Sequence, residues 1–281
     1  MLATLVSMAV STLQAAPRPR SFVGVLGPEA ASFLNRMVSN EVEALEVGES
    51  CEALLLTPKA RIVATLVVLR RGPEDFLLLT EPEAGERVAQ QLLRSRFAAK
   101  CEIGLEEHGS TLVLGAEELV LNHHKLGFAS RDYGVPAVEL LDAEPLAGVE
   151  VIGEEELERL RILARTPRLG RELDDRVMPA EAGLEERAIS FTKGCYPGQE
   201  PVARLHYRGH PNRGLRVLAL EGDELPEYDA ELALDGKAVG RATSAARDPE
   251  HGIVALAYVR REVPADATLD LGGRSAKQLP S

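Results

Sequence analysis

The alternation of apolar and polar residues divides the chain into short strands and a few amphipathic helices. The first clear segment, SFVGVLGPEAASFLNRMVS, predicts a strand over residues 22–25. Gly27 then turns the chain, and the apolar residues from Phe33 to Val38 fall on one face of a helix. A strand, a tight turn and a helix therefore open the patterned part of the chain.

Several short apolar runs follow, interrupted by the turn sequences TPK and RGPED. Such runs are typical of consecutive antiparallel strands. A helix is predicted over residues 84–98, then strands at KCEIGL and STLVLG, and another amphipathic helix over residues 153–164. After Pro211 the chain contains only short β segments separated by Gly, Asp and Pro, which predicts a small barrel or sandwich.

These elements together predict an α+β protein of two domains. The length of 281 residues agrees with this, because domains usually hold about 100–200 residues. The sequence RGHPNRG combines glycine and proline and is the predicted boundary. We therefore expect a main domain over residues 1–209 and a C-terminal β-barrel domain over residues 210–281.

The first twenty residues are apolar, but their arginines follow the apolar run instead of preceding it. This order does not fit a secretory signal peptide, and the run is too short to span a bilayer. We predict an initial helix packed on the core, no membrane segment, and a cytoplasmic location. The net charge of −12 works against general binding to nucleic acid or to anionic membranes.

Three cysteines, Cys51, Cys101 and Cys195, lie far apart in the sequence and form no CxxC pair. This spacing argues against a disulfide framework and fits a reducing compartment. The neighbouring His123 and His124 have no third ligand at helical spacing, so no metal site is predicted.

The richest chemistry lies in the sequence KGCYPGQE. Gly194 and Gly198 flank Cys195 and predict an accessible turn, in which Lys193 could lower the pKa of the thiol. From Arg187 to Arg216 the chain has six Lys or Arg against one acid, which predicts a small anionic ligand. The alternative is that Cys195 only fills space in a glycine-rich turn.

KGCYPGQE resembles the K-G-C-[FY]-x-G-Q-E signature of the YgfZ-type folate-binding proteins. These are relatives of the T-protein, the aminomethyltransferase of the glycine cleavage system. Three further segments are similar to the family's opening strand and helix, to the stretch before the signature, and to its barrel: VGVLGPEAASFLNRMVSNEVEAL, LRILARTPRLGRELDDRVMPAEAGL and GRATSAARDPEHGIVALAYVRRE. The resemblance covers nearly the whole chain.

The resemblance implies a ring-like, GcvT/YgfZ-like body of two α/β subdomains, the second near residues 50–118, closed by a C-terminal β-barrel. It implies binding of tetrahydrofolate or a derivative near the centre. The implied role is support of the assembly or repair of iron–sulfur enzymes, including tRNA-modifying radical enzymes. The implied partners are those enzymes or their assembly factors. Cys195 is the implied key residue, with Lys193 beside it as the second catalytic candidate.

A pterin ring presents adjacent N–H donors that a carboxylate can accept, and folate ends in carboxylates that arginines can hold. Glu181 and Glu200 are the candidate acceptors for the ring, and Arg204 and Arg213 are the candidates for the tail. Two residues of the signature, Tyr196 and Gln199, complete the predicted cofactor-binding set.

One departure from the T-protein relatives bears on activity. Ala64 and Thr65 stand where the family has an acidic residue needed for aminomethyl transfer, which argues against a classical aminomethyltransferase. An aminomethyl or one-carbon transferase using tetrahydrofolate remains an alternative. A second alternative is an RNA-binding adaptor that uses the basic patch from Arg204 to Arg216. Tyr207 is the only aromatic residue of that patch, so direct nucleic-acid binding is not expected.

Overall fold

The structure is a computed structural model that describes residues 13–116, 126–143 and 148–280. Its helices are α1 (Ala30–Met37), α2 (Gly85–Ser95), α3 (Glu154–Leu163), α4 (Glu185–Ala188) and α5 (Gln199–Arg208), with a 3-10 turn at Pro82–Ala84. The strands are β1 (Gln14–Pro17), β2 (Ser21–Leu26), β3 (Ser50–Leu56), β4 (Ile62–Gly72), β5 (Asp75–Thr80), β6 (Glu102–Glu106), β7 (Ser110–Leu114), β8 (Gly127–Ser130), β9 (Ala137–Leu141), β10 (Glu150–Val151), β11 (Arg213–Leu220), β12 (Glu231–Leu234), β13 (Lys237–Asp248), β14 (Gly252–Arg260), β15 (Thr268–Leu271) and β16 (Arg274–Gln278).

The first sheet has the strand order β3-β4-β5-β2-β6 and is antiparallel throughout. Strand β5, DFLLLT, is buried along almost its whole length, which explains why its sequence is a continuous apolar run. Helices α1 and α2 contribute Phe33, Leu34 and Val88 to the core on one side of this sheet.

The second sheet has the order β10-β1-β7-β9-β8. The predicted initial helix is wrong for Gln14–Pro17, which form β1 instead, and residues 1–12 lie outside the described residues. Ala15 and Ala16 are buried there, because β1 pairs with β7 on one side and with β10 on the other. Phe22 and Leu77 of the first sheet meet Phe128 of the second, so the two sheets pack on each other.

The C-terminal strands form a closed barrel in the order β11-β14-β13-β12-β15-β16, and β16 returns to pair with β11. Small residues such as Ala255 and Ala257 lie in its core, where they leave room for Leu218 and Leu232. This barrel, together with the two sheets and their helices, confirms the predicted α+β fold with a C-terminal β-barrel. Residues 50–116 supply strands to both sheets, and the division into subdomains and the boundary near 209 stay predictions.

Helices α2 and α3 lie within their predicted ranges, but α5 was missed, because Gln199 and Glu200 were interpreted as part of a loop. Pro201 lies in the first turn of α5, where no backbone N–H is needed, and Glu200 suits the positive end of the helix dipole. Among the described residues, no helix is both long enough and apolar enough to cross a bilayer.

Candidate functional site

A cavity of about 550 Å³ lies between the two sheets. The first sheet contributes Glu52, Thr65 and Val67, and the second contributes Phe128 and Ser130. The segment joining β1 to β2, the loop after α3 and the start of α4 close the remaining walls. The volume falls within the range of about 300–1,000 Å³ that small-molecule sites usually occupy.

The cavity wall is rich in arginine. Its charged residues are Arg18, Arg20, Arg131, Arg161, Arg168 and Arg187 against Glu49, Glu52, Glu81 and Asp132. The wall therefore carries two positive charges in excess, although the whole chain has a net charge of −12. Two of these arginines, Arg20 and Arg161, pair with buried carboxylates behind the wall, those of Glu139 and Glu172, so the arginines left for a negatively charged ligand are the more accessible ones, Arg131 and Arg168.

Arg187 of α4 joins the two sheets across the cavity. Its Nε and Nη2 donate to the two carboxylate oxygens of Glu52 on β3, at 2.5 and 2.9 Å, and Nη2 also donates to Asp132 after β8, at 2.5 Å. Burial raises the pKa of Glu52 above its ordinary value, even though Arg187 opposes this. Burial acts in the same direction on Asp132, but Arg187 and Arg20 outweigh it and lower the pKa of that carboxyl.

The more deeply buried wall holds two further ion pairs. Arg18 donates from Nη2 to Glu81 at 2.9 Å, and Arg20 forms a bidentate pair with Glu139 at 2.9 and 2.8 Å. Tyr133 lies beside them, and burial raises the pKa of its hydroxyl to about 12. These residues exclude water from one end of the cavity.

Thr65 lines the cavity, whereas Ala64 is fully buried in the core below it. The wall therefore has no carboxylate at the position where the T-protein relatives carry an acid. Two acids of the wall lie on the strands beside it: Glu52 of β3 pairs with Val67, two residues beyond Thr65, and Glu81 follows Thr80, whose hydroxyl donates to the carbonyl of Thr65 at 2.9 Å.

The signature loop is positioned by Lys193 rather than by a ligand. The ammonium of Lys193 donates to the carbonyls of Asn35, Val38 and Asn40, at 2.7, 2.9 and 2.5 Å. These contacts use all three ammonium hydrogens and fasten the loop to the C-terminal end of α1. Burial lowers the pKa of Lys193 to about 8. No hydrogen bond joins Lys193 to Cys195 in the described part of the chain, and the predicted action of Lys193 on this cysteine stays a prediction.

Gly198 is required by the packing of the loop. Its φ is +84°, and an added Cβ would lie 2.6 Å from the carbonyl oxygen of Thr57 in the turn between β3 and β4. The backbone of the turn between β3 and β4 therefore comes so close to Gly198 that a larger residue would not fit there. Gly194 differs, because an added Cβ there would meet nothing within 4 Å.

The three cysteines differ in exposure. Cys195 is exposed, Cys51 is half-buried and Cys101 is buried. Burial raises the pKa of the Cys51 thiol to about 12, and it also raises that of Cys101. Cys195 is the thiol most accessible to another molecule.

The predicted cofactor-binding residues do not line the cavity. Glu181 and Arg213 pair with each other at 3.0 Å, and Arg213 also lies over the ring of Tyr258. Glu200 and Arg204 pair at 3.1 Å on the outer surface of α5, with side chains 85% and 72% exposed.

The two remaining signature residues are also elsewhere. Tyr196 is buried in the main core and its hydroxyl has no hydrogen-bond partner among the described residues, while Gln199 begins α5. Tyr196 also has its pKa raised to about 12, chiefly by burial. These side chains therefore lie outside the lining of the cavity, and the predicted site for a small anionic ligand around Cys195 stays a prediction.

The basic patch from Arg204 to Arg216 is also largely occupied by contacts within the protein. Arg204 and Arg213 are paired as described, and Arg216 donates to the carbonyls of Val263 and Arg260 and to the side chain of Gln278. The pair His123–His124 lies outside the described residues. In the described ranges, no group of three His, Cys, Asp or Glu side chains is placed to hold a metal ion.

Sequence reasoning missed the residues that do line the cavity, above all Arg18, Glu52, Glu81 and Arg187. They come from four separate segments and carry no motif. The paired arginines of PRPR, just before a strand, are the one local signal that could have indicated Arg18 and Arg20.

Comparison with known proteins gives three informative similarities, although no family model matches the chain. An aminomethyltransferase of Streptomyces avermitilis is 26% identical over 293 residues, which cover 89% of this chain and 78% of that protein. The tRNA-modifying protein YgfZ of Edwardsiella ictaluri is 34% identical over 110 residues, which cover 37% of this chain and 33% of that protein.

The third similarity is structural. The glycine cleavage system aminomethyltransferase T from Bartonella henselae superposes with a TM-score of 0.81 at 20% identity, covering 97% of this chain and 86% of that one. The two sheets and the barrel thus define an aminomethyltransferase-like fold. The sequence similarities support the predicted relationship to the YgfZ proteins and the aminomethyltransferases, and the structural similarity shows the shared fold.

Proposed function

We propose that this protein binds tetrahydrofolate, or a derivative, in the cavity between its two sheets. We further propose that it is an accessory protein in the assembly or repair of iron–sulfur enzymes, tRNA-modifying enzymes among them. The relatives named aminomethyltransferase support the binding of folate. The relatives named tRNA-modifying protein YgfZ support the accessory role. The cavity supports a ligand of this kind through its size and through the accessible Arg131 and Arg168 in its lining.

The residues of the cavity fit such a ligand. Two lining residues, Arg18 and Thr166, keep buried polar atoms without a partner, Nε and Oγ1 respectively. Buried polar atoms of this kind are rare and call for a partner. Val67 and Phe128 supply apolar surface for a flat ring. When bound, tetrahydrofolate would supply nitrogen atoms that carry one-carbon groups.

The observation that carries the accessory role is Thr65 in the cavity wall. A threonine hydroxyl can donate or accept a hydrogen bond, but it does not exchange a proton near neutral pH as a carboxylate does. The chain therefore binds and orients the ligand without the acid of the T-protein relatives. This favours a folate-dependent helper over an aminomethyltransferase.

Glu52 keeps the alternative of an aminomethyl or one-carbon transferase open. It is a carboxylate in the same wall, and its pKa is raised by burial, as is common for groups that exchange protons in active sites. A sensitive assay for transfer from an aminomethyl-lipoyl carrier to tetrahydrofolate separates the two functions. Turnover that is abolished in Glu52→Gln would establish the transferase and overturn the accessory role.

Titration calorimetry of the full chain with tetrahydrofolate tests the ligand. We expect saturable binding with micromolar affinity or better. Absence of heat up to the high micromolar range, together with no upward shift in the unfolding temperature, would remove folate from the proposal. The predicted residue Glu200 provides a control, since Glu200→Gln lies outside the cavity and is expected to bind as the wild type does.

The role of Cys195 remains a proposal that its exposure supports. We expect an aromatic disulfide reagent to modify it faster than Cys51 and Cys101, by a factor on the order of ten or more, because those two are shielded with raised pKa values. Cells that depend on an iron–sulfur tRNA-modifying enzyme should lose complementation with Cys195→Ala but keep it with Cys101→Ala, because Cys101 is buried outside the cavity lining. Equal complementation by both variants would remove the thiol from the mechanism.

A further inference from the structure

The ion pairs of the cavity differ in how much hydrogen-bonding capacity they have left. In the Glu52–Arg187 pair both carboxylate oxygens already accept from the guanidinium. The partner of Arg20 is saturated too, because Glu139 accepts from two nitrogens of Arg20 and from the hydroxyl of Ser110. These pairs mainly hold the wall together.

Arg18 and Glu81 are different. One bond joins Nη2 of Arg18 to Oε1 of Glu81, at 2.9 Å. Nη1 of Arg18 and Oε2 of Glu81 make no hydrogen bond within the described residues, and Nε of Arg18 is buried without a partner. A donor and an acceptor without partners thus belong to one pair, and both of its residues line the cavity.

A donor beside an acceptor is complementary to a cyclic amide, which presents a carbonyl next to an N–H. The 2-amino-4-oxo ring of a reduced pterin has this edge, with further N–H donors beside it. We infer that Arg18 and Glu81 recognise the cyclic amide edge of the pterin ring, Arg18 donating to its carbonyl and Glu81 accepting from its N–H. This inference rests on the proposed folate function and replaces Glu181 and Glu200 as the ring's acceptors.

The depth of the charged residues gives the orientation of the ligand. The side chains of Arg18 and Glu81 are only 15% and 9% exposed. Arg131 is exposed, and Arg168 is 38% exposed with its closest carboxylate, that of Glu158, at 3.6 Å. Arginines that are not held tightly by carboxylates of the protein are suited to bind the carboxylates of the ligand's tail. The ring therefore enters first, and the tail stays at the mouth.

Calorimetry with dissected ligands tests this assignment on the full chain. The probes are tetrahydrofolate, 6-methyltetrahydropterin as the ring alone, and p-aminobenzoylglutamate as the tail alone. We expect Glu81→Gln to weaken the binding of the ring and of tetrahydrofolate by about 10- to 100-fold, the usual effect of losing a charged hydrogen bond. Binding of the tail alone should change less than about twofold, and Arg168→Gln should show the opposite preference.

Two further variants keep the test decisive. Arg18→Lys keeps the charge but removes the guanidinium fork, so it should also weaken ring binding, and it serves if Glu81→Gln does not fold as judged by circular dichroism. The exposed pair provides matched controls, Glu200→Gln and Arg204→Lys, in which all affinities should match the wild type.

The outcomes separate this inference from the proposed function. If the wild type binds no tetrahydrofolate, the proposed function fails. If it binds tetrahydrofolate and both cavity variants bind the ring unchanged, only the assignment to Arg18 and Glu81 fails. Guanosine presents the same amide edge, and tighter binding of guanosine than of tetrahydrofolate would overturn the folate function while supporting the edge assignment.

Discussion

The signature loop and the cavity between the sheets use the same residue types for different purposes. In the loop, Lys193 and Gly198 are occupied by contacts with α1 and with the turn after β3. In the cavity, Arg18 keeps hydrogen-bonding atoms without partners, and Arg131 is exposed at the mouth. The loop is thus built to hold Cys195 outward, while the cavity is built to receive a ligand.

This difference shows that a stretch of sequence rich in charged residues need not present those charged side chains to a ligand once the chain is folded. In the basic stretch from Arg187 to Arg216, Arg187 and Arg213 pair with carboxylates, and Arg216 donates to backbone carbonyls. The accessible arginines of the cavity, Arg131 and Arg168, lie far apart in the chain. Variants that remove partners from each region test how far the contrast holds.

The largest effect on stability is expected for Arg187→Met. This change leaves the half-buried carboxylates of Glu52 and Asp132 without their shared partner, and we expect a loss of about 2–4 kcal/mol in the free energy of unfolding. Urea denaturation measures it, with Arg204→Met as the exposed control. Adding Glu52→Gln to Arg187→Met should restore part of the loss, and equal losses in Arg187→Met and Arg204→Met would contradict the cavity bridge.

Gly198→Ala should come next. An alanine at φ +84° is strained, and its Cβ would press on the backbone of Thr57 and Ala60, so we expect a loss of about 2–3 kcal/mol. Gly194→Ala is the matched control in the same loop, with an expected change below about 0.5 kcal/mol. A similar loss in both variants would show that the loop needs flexibility rather than the close approach at Gly198.

Lys193→Met should cost about 1–2 kcal/mol at pH 7, because three carbonyls lose their donor. The pKa of Lys193 falls from its ordinary 10.5 to about 8 in the folded state, so between these values the unfolded chain binds more protons. The wild type should therefore gain stability relative to Lys193→Met as the pH rises from about 8 towards 10. Urea denaturation at pH 7, 8, 9 and 10 measures this difference, and a constant difference would contradict the lowered pKa.

Glu200→Gln should have the smallest effect. The pair Glu200–Arg204 is exposed and spaced by one helical turn, so the free energy of unfolding should change by less than about 0.5 kcal/mol. Tetrahydrofolate affinity should stay within about twofold of the wild type. A large loss of tetrahydrofolate affinity in Glu200→Gln would show that Glu200 belongs to the ligand site, and it would contradict the contrast between the signature loop and the cavity.

The fold was largely predictable from the sequence because its strands are short, apolar and separated by strong turn residues. The run DFLLLT and the segments after Pro211 became β5 and the barrel, since nothing in their composition competes with a strand. The prediction failed at Gln14–Pro17, where an apolar sequence suits a helix equally well. Pairing with β7 decides the outcome there, and that pairing is a tertiary contact.

The site was less predictable for a physical reason. The exposure of Cys195 was predicted from its glycines and agrees with the structure. The partner of a charged side chain, however, depends on the fold. Lys193 donates hydrogen bonds to three backbone carbonyls, and no local sequence pattern predicts those partners. Arg18 and Glu81 lie 63 positions apart in the sequence, and the pairing of β2 with β5, in which Ser21 lies opposite Thr80, brings them together.

The closure of the barrel has a consequence for self-association. Each of its six strands has a neighbour on both sides, because β16 pairs with β11, so the barrel offers no unpaired row of backbone groups to another chain. Any strand addition between copies would have to start on the body, at the outer strands of its two sheets. There β6 carries glutamates at both of its ends, and such charges resist stacking of one copy on the next.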